Sequence, residues 1–172
     1  MSQAHKAEAP QTVRCKIITV SDTRTKDTDK SGKLMHQYLE GHNHQVNAYN
    51  IVKDEQMEIQ QAIEEGIQQS DIDAILINGG TGIAKRDVTI EVVENMLDKE
   101  IPGFGEIFRM LSYTEDIGSA AILSRATAGV VQDKAVFATP GSSGAVKLAM
   151  EKLIIPELGH VMREINKDLS RN

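Results

Sequence analysis

Ile72-Asp73-Ala74-Ile75-Leu76-Ile77, running into Asn78-Gly79-Gly80-Thr81-Gly82, is the stretch that decides the fold. The first six residues form a short run, apolar apart from Asp73, as expected of a strand covered on both faces. The glycines that close it let the backbone turn sharply and come near a ligand that side chains would otherwise block.

Working outward from this strand, the chain alternates between strand and helix. Upstream, Val13–Val20 (VRCKIITV) reads as a strand ending at Ser21-Asp22-Thr23-Arg24, and Gln45–Val52 as a second strand closing on Asp54-Glu55. Leu34, Met35, Tyr38 and Leu39 repeat at helical spacing between them, with Gly41 as the stop. Ile59, Ala62, Ile63, Gly66 and Ile67 form the stripe of the next helix. Downstream, Val92, Val93, Met96 and Leu97 mark one helix, and Phe104, Ile107, Phe108 and Leu111 another after Pro102-Gly103. Ala126–Val131 and Ala135–Thr139 are separated only by Gln132, Asp133 and Lys134, which predicts an antiparallel hairpin. Pro140–Gly144 opens a long helix that Pro156 is expected to break or kink, and Leu158, Val161, Met162 and Ile165 continue it to the end. The pattern predicts an α/β fold, a three-layer αβα sandwich with a mostly parallel mixed sheet. It comprises one domain over residues 12–172, preceded by a disordered tail over residues 1–11.

Composition narrows the function. The chain has 172 residues, enough for one domain with a real core. Aromatics are 3% with no Trp, and the net charge is −6. Stacking platforms and excess cations, the two usual means of holding nucleic acid, are therefore both missing. Cys15 is the sole cysteine, so neither a disulfide nor a cysteine zinc site is expected, and its place in a strand predicts a buried, inert thiol. With no apolar signal segment and no run of membrane-spanning length, a cytoplasmic location is expected.

In doubly wound sheets the ligand crevice lies beyond the carboxyl ends of the strands. Ser21–Arg24, Asp54–Glu55, Gly79–Gly82 and Pro140–Gly144 each directly follow a predicted strand, which points to one composite site. Gly79-Gly80-Thr81-Gly82 matches neither the P-loop nor the dinucleotide pattern, because Lys85 stands where both need glycine. Pro140, Gly141, Ser142 and Ser143 lie at a helix start, where exposed N–H groups favour an anion; simple N-capping by serine suits the same residues. Asp54 and Asp87 fall on crevice loops, and carboxylates beside phosphates imply an intervening cation such as Mg²⁺. Capping of the following helix is the competing role for Asp87. Arg24, Arg86 and Arg125 are candidate phosphate ligands, at least one of them destined for a solvated surface. His42 and His44 read as a solvated loop.

These residues carry a resemblance. NGGTGIAKRDVTIE (Asn78–Glu91), PGFGEIFRMLSY (Pro102–Tyr113), SRATAG (Ser124–Gly129) and TPGSSGAVKLA (Thr139–Ala149) resemble the molybdenum cofactor biosynthesis family of MoaB, MogA and the gephyrin G domain. The likeness runs from Val13 to about His160 and is nearest the MoaB branch; Ile90 replaces a proline common in the family. The resemblance implies a three-layer fold that binds molybdopterin, a pterin with a dithiolene and a terminal phosphate. It implies adenylation of that phosphate by Mg-ATP, with release of pyrophosphate. By the same matching, Asp54 and Asp87 are the catalytic and metal-binding pair. Ser21, Asp22, Arg24, Gly79–Gly82, Ser124, Arg125 and Pro140–Ser143 are the ligand-binding set. The alternative is a non-catalytic molybdopterin-binding carrier or regulatory protein of the same pathway. The expected partners are molybdopterin, ATP, other proteins of the pathway and further copies of the chain, as a trimer or hexamer. For assembly the sequence adds its own candidate surface, the apolar face of Phe104, Ile107, Phe108 and Leu111.

The implied reaction suits a chain without a Ser/His/Asp or Cys/His constellation. A phosphate monoester, with a second pKa of about 6, is already a nucleophile at neutral pH and needs no general base. It needs alignment and charge neutralisation.

Overall fold

The computed structural model describes residues 9–169, so the expected tail over residues 1–11 lies largely outside the described residues. Among the described residues six strands, β1 (Arg14–Val20), β2 (Gln45–Val52), β3 (Ala74–Asn78), β4 (Lys99–Glu100), β5 (Thr127–Val131) and β6 (Lys134–Thr139), form one sheet in the order β2-β1-β3-β6-β5-β4. The first four in that order run parallel. The β5–β6 hairpin predicted from its tight turn is antiparallel, and so is the short β4–β5 pair. Its turn is made by Gln132 at a φ of 53°. The two-residue edge strand β4 has no hydrophobic period of its own, and the sequence reading missed it.

Six α-helices among the described residues cover the sheet: α1 (Lys30–Gly41), α2 (Gln56–Gln68), α3 (Thr89–Met96), α4 (Pro102–Glu115), α5 (Ser143–Ala149) and α6 (Ile155–Asn166). Side chains alternate across each strand, and this divides the interior into two cores. Cys15, Ile17, Leu76 and Phe137 meet α1, α4, α5 and α6 on one face. Ile18, Val20, Ile75, Ile77 and Val136 meet α2 and α3 on the other. The result is the three-layer αβα sandwich. Burial pushes the Cys15 thiol up to about 12, as suits an inert core residue. Lys16 is the unexpected core member: its Nζ donates to the Ala62 carbonyl of α2 at 2.7 Å.

Asp73 interrupts the apolar run because it sits where β3 begins, and there it ties β3 to β1. It accepts from the Arg14 backbone N–H and from Nε at 2.9 Å, and from Nη2 at 2.7 Å.

His44, expected in a solvated loop, is buried because its Nδ1 accepts from the Val13 backbone N–H at 3.1 Å. Two further expectations are met only in part. Pro156 does not break the helix, since α5 passes through a π-helical turn (Met150–Ile154) directly into α6. Proline clashes with the carbonyl four residues back, here Lys152, and that residue lies inside the widened turn. The proposed assembly face of α4 is also divided. Phe104 and Phe108 fill the chain's own core, with Phe108 fully buried and Phe104 stacked edge-on against Phe137 at 5.4 Å. Ile107, Met110 and Tyr113 remain exposed on the outer side.

Candidate functional site

The loops after β1, β2, β3 and β6 converge at one end of the parallel strands, as the crossover topology requires. They enclose a cavity of about 550 Å³ whose lining includes Ser21, Arg24, Asp54, Gly79, Gly80, Thr81, Gly82, Asp87, Ser124, Pro140 and Gly141. Eleven positions singled out in the sequence thus come together. Asp22, Arg125, Ser142 and Ser143 do not line it.

The glycine loop is tightly folded. Gly79 and Gly80 have φ of 94° and 65°, a region that side-chain-bearing residues rarely adopt. A Cβ on Gly79 would lie 2.2 Å from the Val20 carbonyl oxygen, and one on Gly80 2.9 Å from Asp54 Oδ1. Asp87 lies under the same loop: Oδ2 accepts from the Ala84 N–H at 2.9 Å, so it closes the turn before α3 rather than capping the helix.

The three arginines have separate fates. Arg24 Nη2 donates to the Gly141 carbonyl at 2.9 Å, and Ser31 donates to the same oxygen at 2.6 Å, joining the loops after β1 and β6. Arg86 pairs on the surface with Asp22 at 2.8 Å and Glu55 at 3.0 Å. Arg125, expected as a phosphate ligand, is instead a clamp on the glycine loop. Its Nε donates to Thr81 and Gly82 carbonyls, its Nη2 to Gly82 and Asp87 carbonyls, and its Nη1 to Glu91. Its donors are engaged by protein oxygens because the exposed loop carbonyls need partners.

Ser142 is the N-cap of α5, accepting from the Ala145 N–H at 3.2 Å, so capping, the simpler of its two expected roles, is the one seen. The part of that loop that lines the cavity is Pro140-Gly141.

Electrostatics divide the acids. Hydrogen bonds from Arg86 hold Asp22 below the ordinary carboxylate range. Burial, together with the charges of Asp22 and Asp87, holds the Asp54 carboxyl above it. The Asp54 carboxylate is therefore disfavoured on balance, and it lies on the cavity.

The opposite wall was not anticipated. Ile117, Ala120 and Leu123 line it from a 3₁₀ segment (Gly118–Leu123) and the residue before it. GSAAIL has neither helical nor strand period, so its one signal is a set of apolar residues with nowhere to hide: Ile122 is 85% exposed.

A family model described as "Probable molybdopterin binding domain" matches residues 16–160. This chain belongs to that family. It is 69% identical to molybdenum cofactor biosynthesis protein B of Bacillus subtilis over 166 residues, spanning 96% of this chain and 98% of the relative. A crystal structure of a molybdenum cofactor biosynthesis protein B superposes with a TM-score of 0.90 at 61% identity, over 93% of this chain and 99% of the other. The tungsten cofactor synthesizing protein MoaB of Pyrococcus furiosus superposes with a TM-score of 0.82 at 40% identity, over 91% and 99%. The chain is thus a molybdenum cofactor biosynthesis protein. No helix among its described residues is long and apolar enough to cross a membrane.

Proposed function

We propose that this member of the family binds molybdopterin in the cavity between the glycine loop and Pro140-Gly141, and adenylates its terminal phosphate with Mg-ATP. The observation that carries the reading is the placement of Asp54 and Asp87 against one glycine loop at the cavity wall. A phosphate oxygen of the pterin attacks the α-phosphorus of ATP. The new P–O bond forms as the bond to the β-phosphate breaks, and pyrophosphate leaves. The chain contributes alignment, through the turned backbone of Gly79–Gly82, and a cation through Arg24 at the opposite side.

The residues present fit Mg²⁺. Burial and the charges of Asp22 and Asp87 disfavour the Asp54 carboxylate more than Arg86 and the Asp22 backbone favour it, and a divalent cation would reverse that balance. Among the described residues no cluster of three or more His, Cys, Asp or Glu is arranged to hold a metal. Two carboxylates plus phosphate oxygens form the usual Mg²⁺ environment, in which the ion supplies neutralisation of triphosphate charge. The apolar wall of Ile117, Ala120 and Leu123 gives a flat ring a dry face.

Pyrophosphate release from ATP that depends on added molybdopterin tests the reading. Molybdopterin binding with no pyrophosphate release would instead identify a carrier. We further propose that copies assemble as a trimer or hexamer through the outward side of α4, where Ile107, Met110 and Tyr113 stand exposed.

A further inference from the structure

Thr89 is the first residue of α3 and is fully buried, yet its hydroxyl has no hydrogen-bond partner. A buried hydroxyl without a partner costs stability, and valine would fill the same space without that cost. The fold does use the Thr89 backbone, whose N–H donates to the Gly80 carbonyl at 3.0 Å. It makes no use of the hydroxyl, and the N-terminus of α3 has no side-chain cap.

The hydroxyl lies where it can serve the site. A Cβ placed on Gly80 would be 2.4 Å from Thr89 Oγ1 and 2.9 Å from Asp54 Oδ1. Both oxygens therefore lie against the position that a side chain on residue 80 would take. Among the described residues Thr89 Oγ1 has no partner, while the Asp54 carboxylate is met by the Asp22 backbone and the Asp54 backbone N–H donates to Asp22 Oδ1 at 3.2 Å. Asp54 lines the cavity, whereas Thr89 stands one layer behind it.

We propose that Thr89 is a positioning residue, whose hydroxyl donates to one oxygen of the Asp54 carboxylate across Gly80 and leaves the other to face a nucleotide-bound cation. The inference rests on the proposed use of Mg-ATP. It also explains why position 80 carries no side chain, since a methyl group would occupy the gap the bond must cross.

The test is calorimetric titration of the full chain with ATP, with Mg²⁺ and separately with chelator, for wild type, Thr89→Val and Thr89→Ser. Thr89→Val is expected to weaken Mg-ATP binding about tenfold, the scale of one hydrogen bond to a charged group. Metal-free ATP affinity should stay unchanged, and Tm should not fall. Thr89→Ser, which keeps the hydroxyl, is expected to restore most of the Mg-ATP affinity. A merely structural role would lower Tm and weaken both titrations together. Wild-type Mg-ATP affinity in Thr89→Val overturns the proposal, as does a wild-type protein that binds ATP equally with and without Mg²⁺. Failure of molybdopterin-dependent pyrophosphate release in wild type would overturn the adenylation reading alone, because the titrations measure binding only.

Discussion

Asp54 shows how one residue can serve the site against the interest of the fold. Its folded pKa lies above the ordinary value because of burial and the charges of Asp22 and Asp87. A raised carboxyl pKa means that stability is intact below the unfolded pKa and is lost as pH rises through the folded one. Asp54→Asn is therefore expected to melt no lower than wild type at neutral pH in chelator, and higher if the repulsion is strong. The difference should vanish at pH values below the carboxylate range. The proposed adenylyl transfer should fall at least about tenfold in the same variant, the scale of a lost electrostatic contact in a transition state. Thermal melts at two pH values and the pyrophosphate assay check both arms; wild-type turnover under saturating Mg-ATP would remove Asp54 from the mechanism. Arg125 makes the opposite case, a residue that serves the site through the fold. Arg125→Ala is expected to cost about 1–3 kcal/mol in denaturant unfolding, because several loop carbonyls lose their donor. Arg125→Lys should recover little, since an ammonium cannot reproduce the planar fork of donors.

At the scale of elements, α4 separates packing from assembly. Phe108→Ala is expected to destabilise the chain by about 3–5 kcal/mol, because its ring is fully buried. Ile107→Glu should leave the unfolding of the chain nearly unchanged while shifting sedimentation equilibrium toward smaller species. An unshifted distribution would clear this face of a role in assembly. The same helix shows how much of the fold could be read in advance. Phe104, Ile107, Phe108 and Leu111 recur at helical spacing, so the helix itself was legible; which flank meets the sheet depends on tertiary placement that spacing does not encode. The loops were legible because glycine, proline and short polar residues have few reasons to follow a strand directly. That Arg125 spends its donors on loop carbonyls was not, because backbone oxygens leave no mark in a sequence. Nor was Thr89 legible as more than a helix-start residue, since its interest lies in a partner it lacks. The π-helical turn was hidden for a related reason: Pro156 announces a disturbance without saying how the preceding turn absorbs it.

For the molecule as a whole, the acid side of the stability profile is set in part by the Arg14–Asp73 junction between β1 and β3. Burial favours the neutral acid, but the hydrogen bonds and charge of Arg14 outweigh it and hold the Asp73 pKa low. A depressed carboxyl pKa contributes stability that is present above the unfolded pKa and lost as pH falls through the folded one. Asp73→Asn should thus lower Tm at neutral pH and much less in strong acid; an equal loss at both would assign the effect to packing. The two cores on opposite faces of the sheet have a wider consequence. Ser21–Arg24, Pro140-Gly141 and the Ile117–Leu123 wall lead to or from helices seated on one core. Asp54, the glycine loop, Asp87 and Thr89 lead into helices seated on the other. The crevice is thus a seam between two halves that pack on different cores of one sheet. Loosening one core should blunt its own half of recognition first, so affinities for the proposed pterin and nucleotide ligands can drift separately among relatives that keep the same sheet.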